Sequence, residues 1–70
     1  MIIGENIKKL RLEKKLTQNQ IAKRLGVSCQ AVSKWENNVS APDISLLPEI
    51  ADIFEVSIDV LFGRGVSNNT

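Results

Sequence analysis

Apolar residues recur along this chain three or four apart, the spacing of an α-helix, with no useful stretch of strand alternation. Ile3, Ile7 and Leu10 share one face of a first helix, about residues 3–14, and Leu16 closes that face. Thr17-Gln18-Asn19-Gln20 has the form of a capping box, in which a hydroxyl and an amide exchange bonds with the first backbone N–H groups. A second helix, about 17–25, follows with Ile21, Ala22 and Leu25 inward, and Gly26 stops it. Ser28 caps a third helix, about 28–36. Ala31, Val32 and Trp35 turn inward there, leaving Cys29, Gln30, Ser33 and Lys34 elsewhere.

Residues 37–43 have a loop composition. A fourth helix, about 44–54, carries Leu47, Ile50, Ala51 and Phe54 on its main face. Two starts are open to it. Asp43 as cap puts Pro48 deep enough to lose a hydrogen bond, whereas Ser45 puts Pro48 in the first turn, where no donor is needed. Ser57 caps a short fifth helix, about 57–62, with Ile58, Leu61 and Phe62 inward, and Gly63 ends it. The expected organisation is one all-α, five-helix domain over 1–63, followed by a polar tail or the start of a linker over 64–70.

Composition narrows the chemistry. Seventy residues make one small domain with a limited core. One Cys and no His leave no disulfide within the chain and no Cys/His metal cluster. The absence of His removes the commonest general base, and no catalytic constellation or cofactor motif stands out, so neither an enzyme nor a cofactor is expected. No apolar run is long enough for a membrane, and the chain opens with no basic-then-apolar leader, which together read as cytoplasmic. The net charge of +1 conceals a division: residues 1–35 sum to +6 and residues 36–70 to −5. A basic half suits a polyanion such as nucleic acid, and equally a solvated lysine surface.

The second and third helices, joined by a short turn containing Gly26, form a helix-turn-helix signature. Ala22 falls where the two helices cross, and only a small side chain lets them approach. Gly26 falls where the chain reverses. Val32 and Trp35 fall where the pair packs on the other helices. Thr17-Gln18, Ile21-Ala22, Leu25-Gly26-Val27-Ser28 and Gln30-Ala31-Val32-Ser33-Lys34-Trp35-Glu36-Asn37 resemble the lambda-repressor-like, Cro/XRE-type regulators of bacteria and phages. Pro42-Asp43-Ile44, Ile50-Ala51 and Val56-Ser57-Ile58-Asp59 resemble that family's later helices.

The resemblance implies a dimer on a palindromic double-stranded operator, acting as a repressor with helix 28–36 in the major groove. The motif places base contacts at Cys29, Gln30 and Lys34; by side-chain chemistry Gln30 suits adenine, Lys34 guanine or phosphate, and Cys29 a thymine methyl. The resemblance assigns backbone contacts to Gln18, Ser33, Asn37 and Asn38, both Asn residues serving equally well as turn formers. It pairs Arg11 with Glu36, fixing the end of the recognition helix and orienting Asn37, and it suggests a dimer patch at Val56, Ile58, Val60 and Phe62. Redox sensing by Cys29 is a minor alternative. No membrane partner and no small-molecule site are expected.

This chain departs from the family where Lys15, Asn38 and Glu55 stand at positions often held by glycine. Asn38 takes the left-handed conformation at modest cost, the other two less readily. Cys29 stands where Arg or Gln is common. The rival class is a protein-interaction module, such as an antitoxin or anti-repressor partner. The face of Gln18, Gln30 and Lys34, free of acidic residues, favours DNA.

Overall fold

The computed structural model describes residues 2–63, with side chains from residue 3. It is the expected all-α, five-helix architecture: α1 Ile2–Glu13, α2 Gln18–Leu25, α3 Cys29–Glu36, a 3-10 turn Ile44–Leu46, α4 Leu47–Phe54 and α5 Ile58–Leu61. The tail expected over 64–70 lies outside the described residues. Ile3, Ile7, Ile21, Ala22, Leu25, Val32, Trp35, Leu47, Ile50, Ala51, Phe54 and Leu61 form one core to which every helix contributes.

Four helices stop in the same way. Past α1, α2, α3 and α4 stands a left-handed residue: Lys15 at φ 58°, Gly26 at 73°, Asn38 at 61° and Glu55 at 59°. The next residue then sends its N–H back to a carbonyl five positions earlier, Leu16 to Arg11, Val27 to Ala22, Val39 to Lys34 and Val56 to Ala51. This 6→1 bond is the Schellman closure, which satisfies a carbonyl that the helix end would leave open. After α1, α2 and α4 the bonded residue is an apolar side chain packed against the core, and the residue after it is a hydroxyl that caps the next helix. Lys15-Leu16-Thr17, Gly26-Val27-Ser28 and Glu55-Val56-Ser57 are thus three copies of one connector. The glycine-to-Lys and glycine-to-Glu departures change the side chain and leave the turn intact.

The fourth helix comes in two pieces, which corrects the single span 44–54. Asp43 opens the 3-10 turn, accepting both the N–H and the hydroxyl of Ser45. The Ser45 hydroxyl, then its N–H, hold the Asp43 carboxyl below the ordinary aspartate range. The α-helix starts afresh at Leu47, with Pro48 in its first turn. Asp43 is therefore used as the cap of the 3-10 turn, whereas Ser45 caps neither piece: the α-helix follows Leu46, which makes no side-chain cap. The fifth helix is a single turn, so only Leu61 is fully buried, while Ile58 and Phe62, expected inward, are 38% and 41% exposed. Asn6 Nδ2 donates to the Leu61 carbonyl at 2.9 Å and fastens this turn to α1.

Gly4 sets the approach of α1 to α3. A Cβ built there would lie 1.9 Å from the Trp35 carbonyl oxygen and 2.9 Å from Asn38 Oδ1. Gly26 is different, because a Cβ there would meet nothing within 4 Å and only its positive φ favours glycine.

Two expectations follow for stability. Gly4→Ala should lower stability by about 1–3 kcal/mol, as overpacking does, even though Ala favours a helix interior by about 0.5–1 kcal/mol over Gly. A thermal melt reads this as about 4–8 °C lost per kcal/mol, and a rise in Tm would mean that α1 and α3 are not in backbone contact. Lys15→Gly should act oppositely, gaining about 0.5–1 kcal/mol once the left-handed penalty is set against glycine's entropy. Urea unfolding measures it, and an unchanged or lower midpoint would show that Lys15 bears no strain.

Candidate nucleic-acid interface

The frame of the interface is built by backbone caps. The Thr17 hydroxyl accepts the Gln20 N–H at 3.0 Å, and Gln20 Oε1 accepts the Thr17 N–H at 2.8 Å. This completes the expected capping box and starts α2. Gly26 reverses the chain, and the Ser28 hydroxyl accepts the Ala31 N–H at 3.1 Å to start α3. Ala22, Val32 and Trp35 are buried and hold the inner sides of the two helices. Gln30 and Lys34, one turn apart, are both exposed on α3.

Three helices meet at one carboxylate. Arg11 Nε donates to Glu36 Oε2 at 2.7 Å and Arg11 Nη2 to Glu36 Oε1 at 3.1 Å, a two-pronged pair. The remaining prong, Nη1, donates to the Leu16 carbonyl at 2.9 Å. The two side chains are only 12% and 2% exposed. The pairing implied by the family resemblance is therefore present.

Gln18 joins it, a link that sequence reasoning missed. Its Nε2 donates to Glu36 Oε1 at 2.9 Å, and its Oε1 accepts the Cys29 thiol with a Sγ–O distance of 3.9 Å. Gln18 thus spans the first and last residues of α3, and one amide hydrogen remains on its Nε2. The sequence places Gln18 at a helix start but carries no signal for which way its amide faces.

The other assigned residues divide. Asn37 Nδ2 donates to the Ser33 hydroxyl at 3.3 Å, so Asn37 is oriented by Ser33 and not by the ion pair. Asn38 takes the left-handed turn position, and Val39 beyond it is 70% exposed. Cys29 is half-buried beside α2, while Gln30 and Lys34 face outward.

Across α2 and α3 the exposed charges are Lys23, Arg24 and Lys34, while their single acid, Glu36, is buried and paired. The surface of the two helices is therefore positive wherever it meets solvent. Among the described residues no group of three His, Cys, Asp or Glu side chains is placed to hold a metal ion. No helix there is long and apolar enough to cross a membrane.

Comparison with known proteins decides the family. The helix-turn-helix family model matches residues 7–61. This chain belongs to that Cro/XRE-type helix-turn-helix family. The fold is similar to that of the P22 c2 repressor crystallised with a synthetic operator, with a TM-score of 0.80 and 31% identity over 87% of this chain and 92% of the other. The domain is 40% identical over 67 residues to the uncharacterised helix-turn-helix regulator YqaE of Bacillus subtilis strain 168, covering 96% of this chain and 57% of that protein. It is 43% identical over 61 residues to the transcriptional activator BcrR of Enterococcus faecalis, covering 87% of this chain and 30% of that protein. The chain thus spans 57% and 30% of the length of these two curated relatives.

The knot at Glu36 gives the next expectation. Arg11→Ala strands a buried carboxylate with the Gln18 amide as its remaining side-chain partner, and such losses typically cost about 3–5 kcal/mol. Arg11→Lys keeps the charge but not the fork and should fall between the two. Urea midpoints of the three proteins measure this, and a loss under about 1 kcal/mol for Arg11→Ala, the range of an exposed pair, would show that the pair is solvated.

Proposed function

We propose that this domain binds double-stranded operator DNA and regulates transcription, with α3 lying in the major groove. The observation that carries the reading is the exposed, acid-free face of α2 and α3 mounted on the buried Arg11–Glu36 pair. The fold shared with a repressor crystallised on its operator supports it.

In this reading Gln30 and Lys34 reach base edges from one face of α3, and Cys29 meets the groove at the helix start. Gln30 reads adenine through its paired donor and acceptor, and Lys34 holds guanine or phosphate. Gln18, Ser33, Asn37 and Asn38 grip the flanking phosphates, Gln18 with the amide hydrogen that Glu36 leaves free. Phosphate contacts set register without carrying sequence.

The operator is palindromic and the protein a homodimer, its half-sites about 34 Å apart, one DNA turn. The exposed Ile58 and Phe62 support a dimer patch that also includes Val56 and Val60. A dimer seated on a promoter blocks polymerase by occupancy, which is repression. Such a regulator works in the cytoplasm, where bacterial and phage operators are.

Selection from random duplexes tests the reading directly. One sequence class should be enriched, and its affinity should fall with salt at a log–log slope of about −0.9 per phosphate neutralised. Gln30→Ala should cost about 1–3 kcal/mol and relax the preference at one base pair, whereas Asn37→Ala should weaken all sequences alike. If no duplex is enriched, the operator reading fails and the protein-interaction class, an antitoxin or anti-repressor partner, takes its place.

A further inference from the structure

Helix α1 stands between α3 and the single turn of α5. Gly4 and Arg11 are seven residues apart, two turns of α1, and share one face. Both meet the end of α3, Gly4 at the Trp35 carbonyl and Arg11 at Glu36. Asn6 lies about 140–160° round the helix from these two, at about 100° per residue. From that far flank its Nδ2 donates to the Leu61 carbonyl of α5 at 2.9 Å. Both α3 and α5 pack on α1. One helical rod therefore carries α3 on one flank and α5 on the other.

The attachment of α5 rests on few groups. Of its four residues Ile58–Leu61, only Leu61 enters the core. Beside Val60 the packing is open, and a cleft of about 460 Å³ lies between α1 and α5, lined by Asn6, Leu10 and Glu13 and by Val60 and Gly63. Apolar burial of one side chain sets how deep the turn sits but not how it is rotated, because the hydrophobic effect has no direction. The Asn6 bond has direction, and it grips backbone. Among the described residues it is the only side-chain hydrogen bond that reaches α5 from another helix.

In the operator reading α3 carries the base contacts, and α5 carries Ile58, Val60 and Phe62 of the dimer patch. The offset between those two elements, doubled by the twofold axis, is the distance between half-sites. Each base pair advances about 3.4 Å along the duplex and turns it by about 35°. A small rotation of α5 against α1 therefore carries the second recognition helix out of its groove.

We propose that Asn6 is a positioning residue for operator spacing: by holding α5 to α1 it sets the separation of half-sites that the dimer accepts. The proposal rests on the operator and dimer reading and adds to it. Half-site sequence is read from α3, and half-site separation is set from the far flank of α1.

The test uses the full chain and an operator selected from random duplexes. Its half-sites are moved apart or together by one base pair, and a further duplex carries one half-site alone. The parent should prefer the selected separation by about tenfold, within the usual range for two coupled sites. Asn6→Leu keeps the bulk and removes the donor, and Asn6→Ala removes both. In each variant the preference should fall to about twofold, while affinity for the single half-site and the base preference at Gln30 stay as in the parent. Circular dichroism melts fix a temperature at which all three proteins are folded. The proposal is overturned if Asn6→Leu keeps the parent's preference, since the bond is then not what sets the separation. It is overturned equally if single half-site binding falls as far as paired binding, since Asn6 then supports the fold as a whole. A selection that enriches only unpaired half-sites overturns the dimer reading, and one that enriches no duplex overturns the operator reading, so these failures are told apart.

Discussion

A carboxylate buried to 2% exposure has to be met by donors from its own protein, because water no longer reaches it. Glu36 at the end of α3 meets that demand with Arg11 from α1 and Gln18 from α2. Arg11 uses its remaining prong on the carbonyl of Leu16, in the turn between those two helices. One desolvated charge therefore fixes the end of one helix, the start of another, the turn between them and the last residue of the third. Replacing the whole knot by apolar groups would fill the space as well, but would not set the angle of α3 by directional bonds.

The knot acts together with a steric constraint from the same helix, α1. Gly4 lets the backbone of α1 lie against the Trp35 carbonyl, so α1 holds the last turn of α3 both by a hydrogen-bonded charge and by backbone contact. Burial of Val32 and Trp35 removes the remaining freedom to roll. The exposed row of α3 is thus oriented before any ligand arrives, and little of the binding energy is used to order it.

Much of this was legible in the sequence because it depends on local chemistry. The capping box at Thr17, the cap at Ser28 and the turn at Gly26 are written in residues within a few positions of where they act. The burial of Ile7, Ile21, Val32 and Ile50 follows from helical spacing. Gly4 is an isolated glycine inside a helical pattern, and nothing local names Trp35 as its neighbour. The bond of Asn6 to Leu61 spans 55 positions and has no local signature. The Gln18 amide is legible only as a polar residue at a helix start, since its orientation depends on a carboxylate 18 positions away. The inward placing of Ile58 and Phe62 failed for a simple reason: a four-residue helix has one side against the core, and Leu61 takes it.

The three matching connectors bear on how such a domain changes over time. In each, a left-handed residue, an apolar plug and a capping hydroxyl decide where one helix stops and the next begins. None of these nine residues is among Cys29, Gln30 and Lys34, the α3 positions proposed to meet base edges. Folding instructions and reading instructions are thus written in separate letters of the same short stretch. On the proposed reading, residues 29, 30 and 34 can be exchanged as a set while the frame around them stays constant, so a new address on DNA requires no new fold.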